Sequence, residues 1–161
     1  MGKRKHAEPP DPRIPAKKQL CKRADDLWSV AVKSDWANRC AVCGSNGKLH
    51  PHHIVPRQFE SLRYELMNGI ALCVQHHIFD GKVAPHQNAA GWLAWLTDTY
   101  PTLANWYIDN RRPQFTGTKD AEYYIGHIRR LKQYVEAEDF SRIVGVRFEA
   151  WLEETKEGED E

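Results

Sequence analysis

The sequence predicts an α+β fold in which a small, irregular centre of short strands and turns is surrounded by α-helices. Three observations lead there. Apolar residues recur at helical spacing before residue 37 and again after residue 88. Between Cys40 and Val83 the texture changes to short apolar pieces set among Cys, His, Gly and Pro, which cannot form a long amphipathic helix and instead suggests hairpins. Finally, 161 residues with 41% apolar content suffice for one domain with a real core, since a chain of this length buries roughly two-thirds of its unfolded surface.

The ends carry opposite charge. Residues 1–23 hold eight Lys/Arg (Lys3, Arg4, Lys5, Arg13, Lys17, Lys18, Lys22, Arg23) against two acids, and residues 146–161 hold two against seven acids. Pro9, Pro10, Pro12 and Pro15 interrupt any continuous helix in the head, so 1–23 is expected to be an extended basic arm suited to a polyanion. The folded unit is expected over 24–155, with 156–161 an acidic tail. No apolar run is long enough to span a membrane, and nothing reads as a secretory leader, so a cytoplasmic protein is expected.

Within the folded unit, Ala24 to Trp36 reads as a helix whose stripe is Leu27, Trp28, Ala31, Val32 and Trp36, with Asp25 and Asp26 placed at its positive end. Asn88 can cap a second helix carrying Trp92, Leu93, Trp95, Leu96 and Tyr100, which Pro101 stops; that stripe is expected to be core. A third helix is expected over 119–137 with Tyr124, Ile128, Leu131 and Val135 on one face, and a fourth over 146–155 with Phe148, Trp151 and Leu152.

The chemistry lies in the middle. Cys40 and Cys43 form a C-x-x-C knuckle followed by Gly44, a turn that lets two thiolates converge, and Cys73 and His76 repeat the two-residue gap thirty residues on. Together they supply Cys₃His, the number and kind of ligands that a tetrahedral structural zinc takes. Such an ion would staple the strand entering the centre to the helix leaving it. Cys21 lies outside this pairing, in the arm. Five histidines (His50, His52, His53, His76, His77) fall within 28 residues, and none completes an apolar face. A second cation is the simplest reason for them.

The order C-x-x-C, H-H-I-x-P (His52 to Pro56), N-G-I-x-L-C (Asn68 to Cys73) and His76-His77 resembles the HNH nucleases of the His-Me finger (ββα-metal) superfamily. The resemblance covers about residues 40–80, roughly a quarter of the chain, and is most similar to the compact phage and prophage type. There the second zinc pair is usually C-x-x-C, where this chain has His76. The resemblance implies a ββα-metal core and metal-dependent endonuclease activity on DNA. His52 and His77 would hold a divalent ion, Mg²⁺ or Mn²⁺; His53 would be the general base, and Asn68 would hold the base's strand and ring. Residue chemistry agrees with the need: phosphodiester hydrolysis requires a base for water and a cation for the growing charge, and adjacent residues of a strand face opposite sides, so His52 and His53 must do different jobs.

Spacing leaves three further residues open. His50 shares a face with His52 and reads as a surface residue, an outer partner or a ligand. Asp80, one helical turn after His77, can cap that short helix or reach the ion through water, and His86 can add a ligand, although Gly81 and Pro85 break the path to it. His6 and His127 are expected to face solvent. Arg57 and Arg63 are candidates to clamp a phosphate, Arg63 also being placed to pair with Glu60 or Glu65. Arg111, Arg112, Arg129, Arg130 and Lys132 could track a DNA backbone. Two other readings are a zinc-stapled nucleic-acid-binding module without catalysis, and a structure-selective recombination or packaging factor of a phage with a phage or host protein partner.

Overall fold

A computed structural model describes residues 15–112 and 117–137. The expected arm residues 1–14, with His6, the helix over 146–155 and the acidic tail lie outside the described residues. Among the described residues the architecture is mixed: four α-helices and a two-stranded antiparallel sheet. Among the described residues no helix is long and apolar enough to cross a membrane.

Helix α1 spans Lys17–Asp35, beginning seven residues before its expected start. The prolines constrain only what precedes Ala16; beyond Pro15, Lys-Lys-Gln-Leu are good helix formers, and Leu20 and Ala24 extend the apolar stripe by two turns. The basic run 17–23 is therefore helix and not arm. Asp25 and Asp26 consequently fall in mid-helix, where Asp26 accepts from Lys22 one turn back at 2.6 Å. Cys21 also lies on α1, half-buried, its Sγ 3.8 Å from the Tyr64 hydroxyl. After α1, Ala37 and Asn38 take positive φ of 52° and 53°, turning the chain sharply toward Cys40.

Strands β1 (Leu49–His53) and β2 (Gly69–Cys73) pair with His53 opposite Gly69 and Leu49 opposite Cys73. Gly69 is required by packing. A Cβ there would collide with the Val32 side chain and lie 3.1 Å from the Trp28 ring, so only glycine lets α1 lie against the hairpin. Trp28 Nε1 donates to the Glu65 carbonyl at 3.1 Å and Trp36 Nε1 to the Gly69 carbonyl at 3.0 Å, fixing that approach.

A π-helical turn, Gln75–Phe79, follows β2. Helix α2 (Ala89–Thr99) begins under the expected cap, Asn88 accepting from Gly91 N at 2.8 Å, and buries Trp92 and Leu96 as core. Leu93 from the same stripe stays 38% exposed. Pro101 ends α2 and opens an unanticipated helix, α3 (Pro101–Asn110), at whose first position its missing N–H costs nothing. Helix α4 (Ala121–Glu136) is capped by Asp120 and buries Tyr124 and Leu131, with Ile128 and Val135 packed beside them. Two cores result: α1, α4 and Tyr64 form one, and the hairpin, α2, α3 and Cys40 form the other.

Candidate functional site

The knuckle is held to the hairpin by backbone bonds. Cys40 N donates to Ser45 O, Gly44 N at φ +70° donates to Cys40 O, and Ala41 N reaches Ala71 O in β2 at 2.9 Å. Cys73 ends β2, and the π-helical turn swings His76 back over it. Cys73 Sγ and Cys40 Sγ lie 3.2 and 3.7 Å from His76 Nδ1, and Cys43 Sγ lies 4.0 Å from Cys73 Sγ. Bonds of ~2.3 Å to sulfur and ~2.1 Å to nitrogen give tetrahedral edges of about 3.5–3.8 Å, so these spacings suit zinc. Cys40, Cys43, Cys73 and His76 thus form a Cys₃His group that could hold a metal ion such as zinc.

The thiols differ in environment. The Ser45 hydroxyl, 3.3 Å from Cys43 Sγ, holds that thiol down to about 6, nearer the thiolate that a metal binds, while burial pushes Cys40 up. Behind His76, the Asp80 carboxylate sits 4.0 Å from Nε2, beyond hydrogen-bond reach, while Nδ1 faces the thiols. Asp80 also accepts from Lys82 N and Val83 N, bonds that keep its carboxyl below the ordinary range. Its side chain thus closes the turn that follows Gln75–Phe79 and does not cap that short helix, as one of its two expected roles required.

A second cluster lies one residue further along. Because β1 alternates, His50 and His52 share one face and His53 takes the other. His77 reaches that first face: its Nε2 is 3.2 Å from His52 Nδ1 and 3.2 Å from His86 Nε2, while its Nδ1 is 3.1 Å from His50 Nδ1. The ligand atoms of His52, His77 and His86 lie within 4.8 Å of one another, a group that could hold a metal ion. Octahedral bonds of ~2.1 Å give neighbouring edges of about 3.0 Å, close to both measured contacts. Burial first, and then the neighbouring imidazoles, push His52 down to about 3 and His77 to about 4, so both rings are neutral and offer lone pairs. His86 joins because the Asp80 turn and bonds from Gln87 N and Asn88 N to Ala84 O fold residues 81–88 back toward β1. His50 stands behind His77.

On the opposite face, His53 stacks flat on Trp28, ring centroids 3.7 Å apart and planes at 10°. Its Nε2 lies 2.9 Å from the Arg63 carbonyl. A carbonyl only accepts, so Nε2 carries the proton and Nδ1 keeps the free lone pair. Burial lowers this imidazole to about 4, favouring the neutral ring.

Two expectations are corrected here. Arg63 does not present a free guanidinium: Nε and Nη2 donate to Asp25 at 3.0 and 2.7 Å, and Nη1 to Glu60 at 3.2 Å. Glu60 was an anticipated partner, whereas Asp25, distant in sequence, was not; Glu65 instead accepts from Arg130 at 3.0 Å. Asn68 makes no hydrogen bond to the His53 ring, although it does hold the chain that continues β1. Fully buried, it accepts from Val55 N at 2.6 Å and donates to the Val55 and Leu62 carbonyls at 2.9 and 3.0 Å, closing the loop that carries Arg63.

The remaining basic residues divide. Arg57, Arg111 and Arg112 are exposed. Arg129, Arg130 and Lys132 on α4 pair with Glu122, Glu65 and Glu136, which weakens them as backbone trackers. His127, expected in solvent, is half-buried between the rings of Tyr64 and Tyr123, at 4.8 and 4.6 Å. In comparisons with known proteins, no family model matches the chain, and no curated protein or solved structure matches it.

Proposed function

We propose that this protein is a metal-dependent phosphodiester hydrolase. More particularly, we infer a DNA endonuclease of HNH type, with a zinc-stapled ββα-metal core formed by β1, β2 and the turn Gln75–Phe79. The observation that carries the reading is the pairing of adjacent His52 and His53: one faces two further imidazoles that could share a cation, and the other is held as a neutral base with a defined tautomer. A packing role does not require three imidazoles to converge.

In this reading His53 takes a proton from water at Nδ1, the nitrogen that the Arg63 carbonyl leaves free. Asn68 contributes by closing the loop over Val55 and Leu62, which sets where that carbonyl stands. His52, His77 and His86 would hold the divalent ion, and the proton on His77 Nδ1 would be donated to His50, fixing the ring for metal binding. A bound ion would offset the charge growing on the phosphoryl and leaving oxygens. Three imidazoles suit Mn²⁺, Ni²⁺ or Zn²⁺ better than Mg²⁺, which prefers oxygen and water. Arg57, exposed four residues after His53, would meet a phosphate.

Plasmid nicking by the purified protein tests this. Cleavage is expected with Mn²⁺, weaker cleavage with Mg²⁺, and none by folded His53→Ala. Equal cleavage by wild type and His53→Ala overturns the mechanism, and DNA binding without cleavage under any of these ions favours the non-catalytic binding module.

A further inference from the structure

We propose that Trp28 is a positioning residue for the reaction at His53, acting through its ring face; this rests on the reading of His53 as the general base. A histidine ring on a strand turns about two side-chain bonds. The Arg63 carbonyl fixes the direction in which Nε2 points, but one hydrogen bond leaves the ring free to rock about that axis. The indole removes this freedom by lying parallel to the imidazole at 3.7 Å and 10°. Between them, the carbonyl and the ring face determine where Nδ1 is presented.

The indole is itself immobilised. Trp28 is 3% exposed, its Nε1 donates to the Glu65 carbonyl, and the missing side chain of Gly69, directly opposite His53, makes room for it. One turn earlier on α1, Asp25 holds the Arg63 guanidinium, so α1 braces both constraints on His53. Misplacing a reacting group by about 1 Å can cost on the order of 100-fold in rate, so a rocking ring lowers turnover without weakening substrate binding.

The test compares Trp28→Leu, which removes the flat face, with Trp28→Phe, which keeps it but loses the bond to Glu65. Rates are measured on a labelled DNA duplex with Mn²⁺ below both melting temperatures and corrected for the folded fraction, beside wild type and His53→Ala. Trp28→Leu is expected to lower kcat at least about tenfold with KM within about twofold, and Trp28→Phe to keep kcat within about threefold of wild type. Proton NMR adds a readout independent of activity: the His53 ring protons should be shifted upfield by the indole in wild type and return to ordinary positions in Trp28→Leu. If folded Trp28→Leu turns over like wild type while His53→Ala is inactive, the positioning role alone is refuted. If His53→Ala is as active as wild type, the base assignment falls and the inference with it. Equal losses for Phe and Leu refute a role for the ring face.

Discussion

Asn68 joins the fold to the site, and its replacement has a calculable cost. In Asn68→Ala the Val55 N–H and C=O both lose their side-chain partner, whereas the Leu62 carbonyl keeps its bond from Glu65 N at 3.2 Å. Val55 is fully buried, so two polar groups are left without partners, each costing about 1–2 kcal/mol, and a small void adds to that. The expected destabilisation is about 3 kcal/mol. Asn68→Asp has nearly the same shape and still accepts from Val55 N, yet its second oxygen would face the Val55 and Leu62 carbonyls. A buried carboxylate against two acceptors should cost more than alanine at neutral pH, at least about 4 kcal/mol.

The sign of the pH dependence follows. Burial and the facing carbonyls raise the folded-state pKa of the introduced carboxyl above its unfolded value of roughly 3.9. Its penalty is therefore absent below that pH, where the protonated acid can donate as asparagine does, and grows as pH rises through the folded value. Urea denaturation followed by circular dichroism, for wild type and both variants from pH 4 to 7.5, measures this. A loss under about 1 kcal/mol for Asn68→Ala, or an Asn68→Asp cost that does not change with pH, would refute the reasoning.

Other perturbations address the metal groups and the buried histidines. Metal analysis should find about one tightly held zinc per chain, released by Cys40→Ser with partial unfolding, because the free energy of binding a structural zinc is largely folding free energy; a folded, zinc-free wild type would contradict the staple. Since His77 directly follows His76, stripping that zinc should also abolish Mn²⁺-dependent nicking. His86→Ala is expected to weaken Mn²⁺ binding at least about tenfold in calorimetry while leaving the melting temperature within a few degrees, and unchanged affinity would remove His86 from the ligand set. His53 is held near 4, chiefly by burial, against roughly 6.5 unfolded, so its contribution to stability is intact above about 6.5 and declines as pH falls toward 4. The stability difference between wild type and His53→Gln should narrow over that window by up to ~1.4 kcal/mol per pH unit, and a constant difference would show that burial does not suppress protonation.

Much of the site was legible because its ligands come in short-range pairs. The two-residue gaps of Cys40/Cys43 and Cys73/His76 put donors on one side of a turn whatever lies around them, and strand alternation alone separates His52 from His53. The stripes of α2 and α4 appeared for the same reason: helical periodicity is local. The early start of α1 was masked by the charge of 17–23, a surface property that says little about helix formation once Pro15 is passed. Helix α3 was missed because Leu103 and Ala104 are its only buried residues, too few to make a periodic signal.

Residue types and spacings along the chain therefore determined the Cys₃His group that could hold a metal ion, the opposite facing of His52 and His53, and the alternation of helix with hairpin. Tertiary structure alone decided that His86 joins His52 and His77, that Asp25 occupies Arg63, and that Trp28 lies flat on His53. Those three contacts depend on how residues 81–88 fold back and how closely α1 approaches Gly69. Both are set by the summed packing of many side chains, which no local pattern encodes.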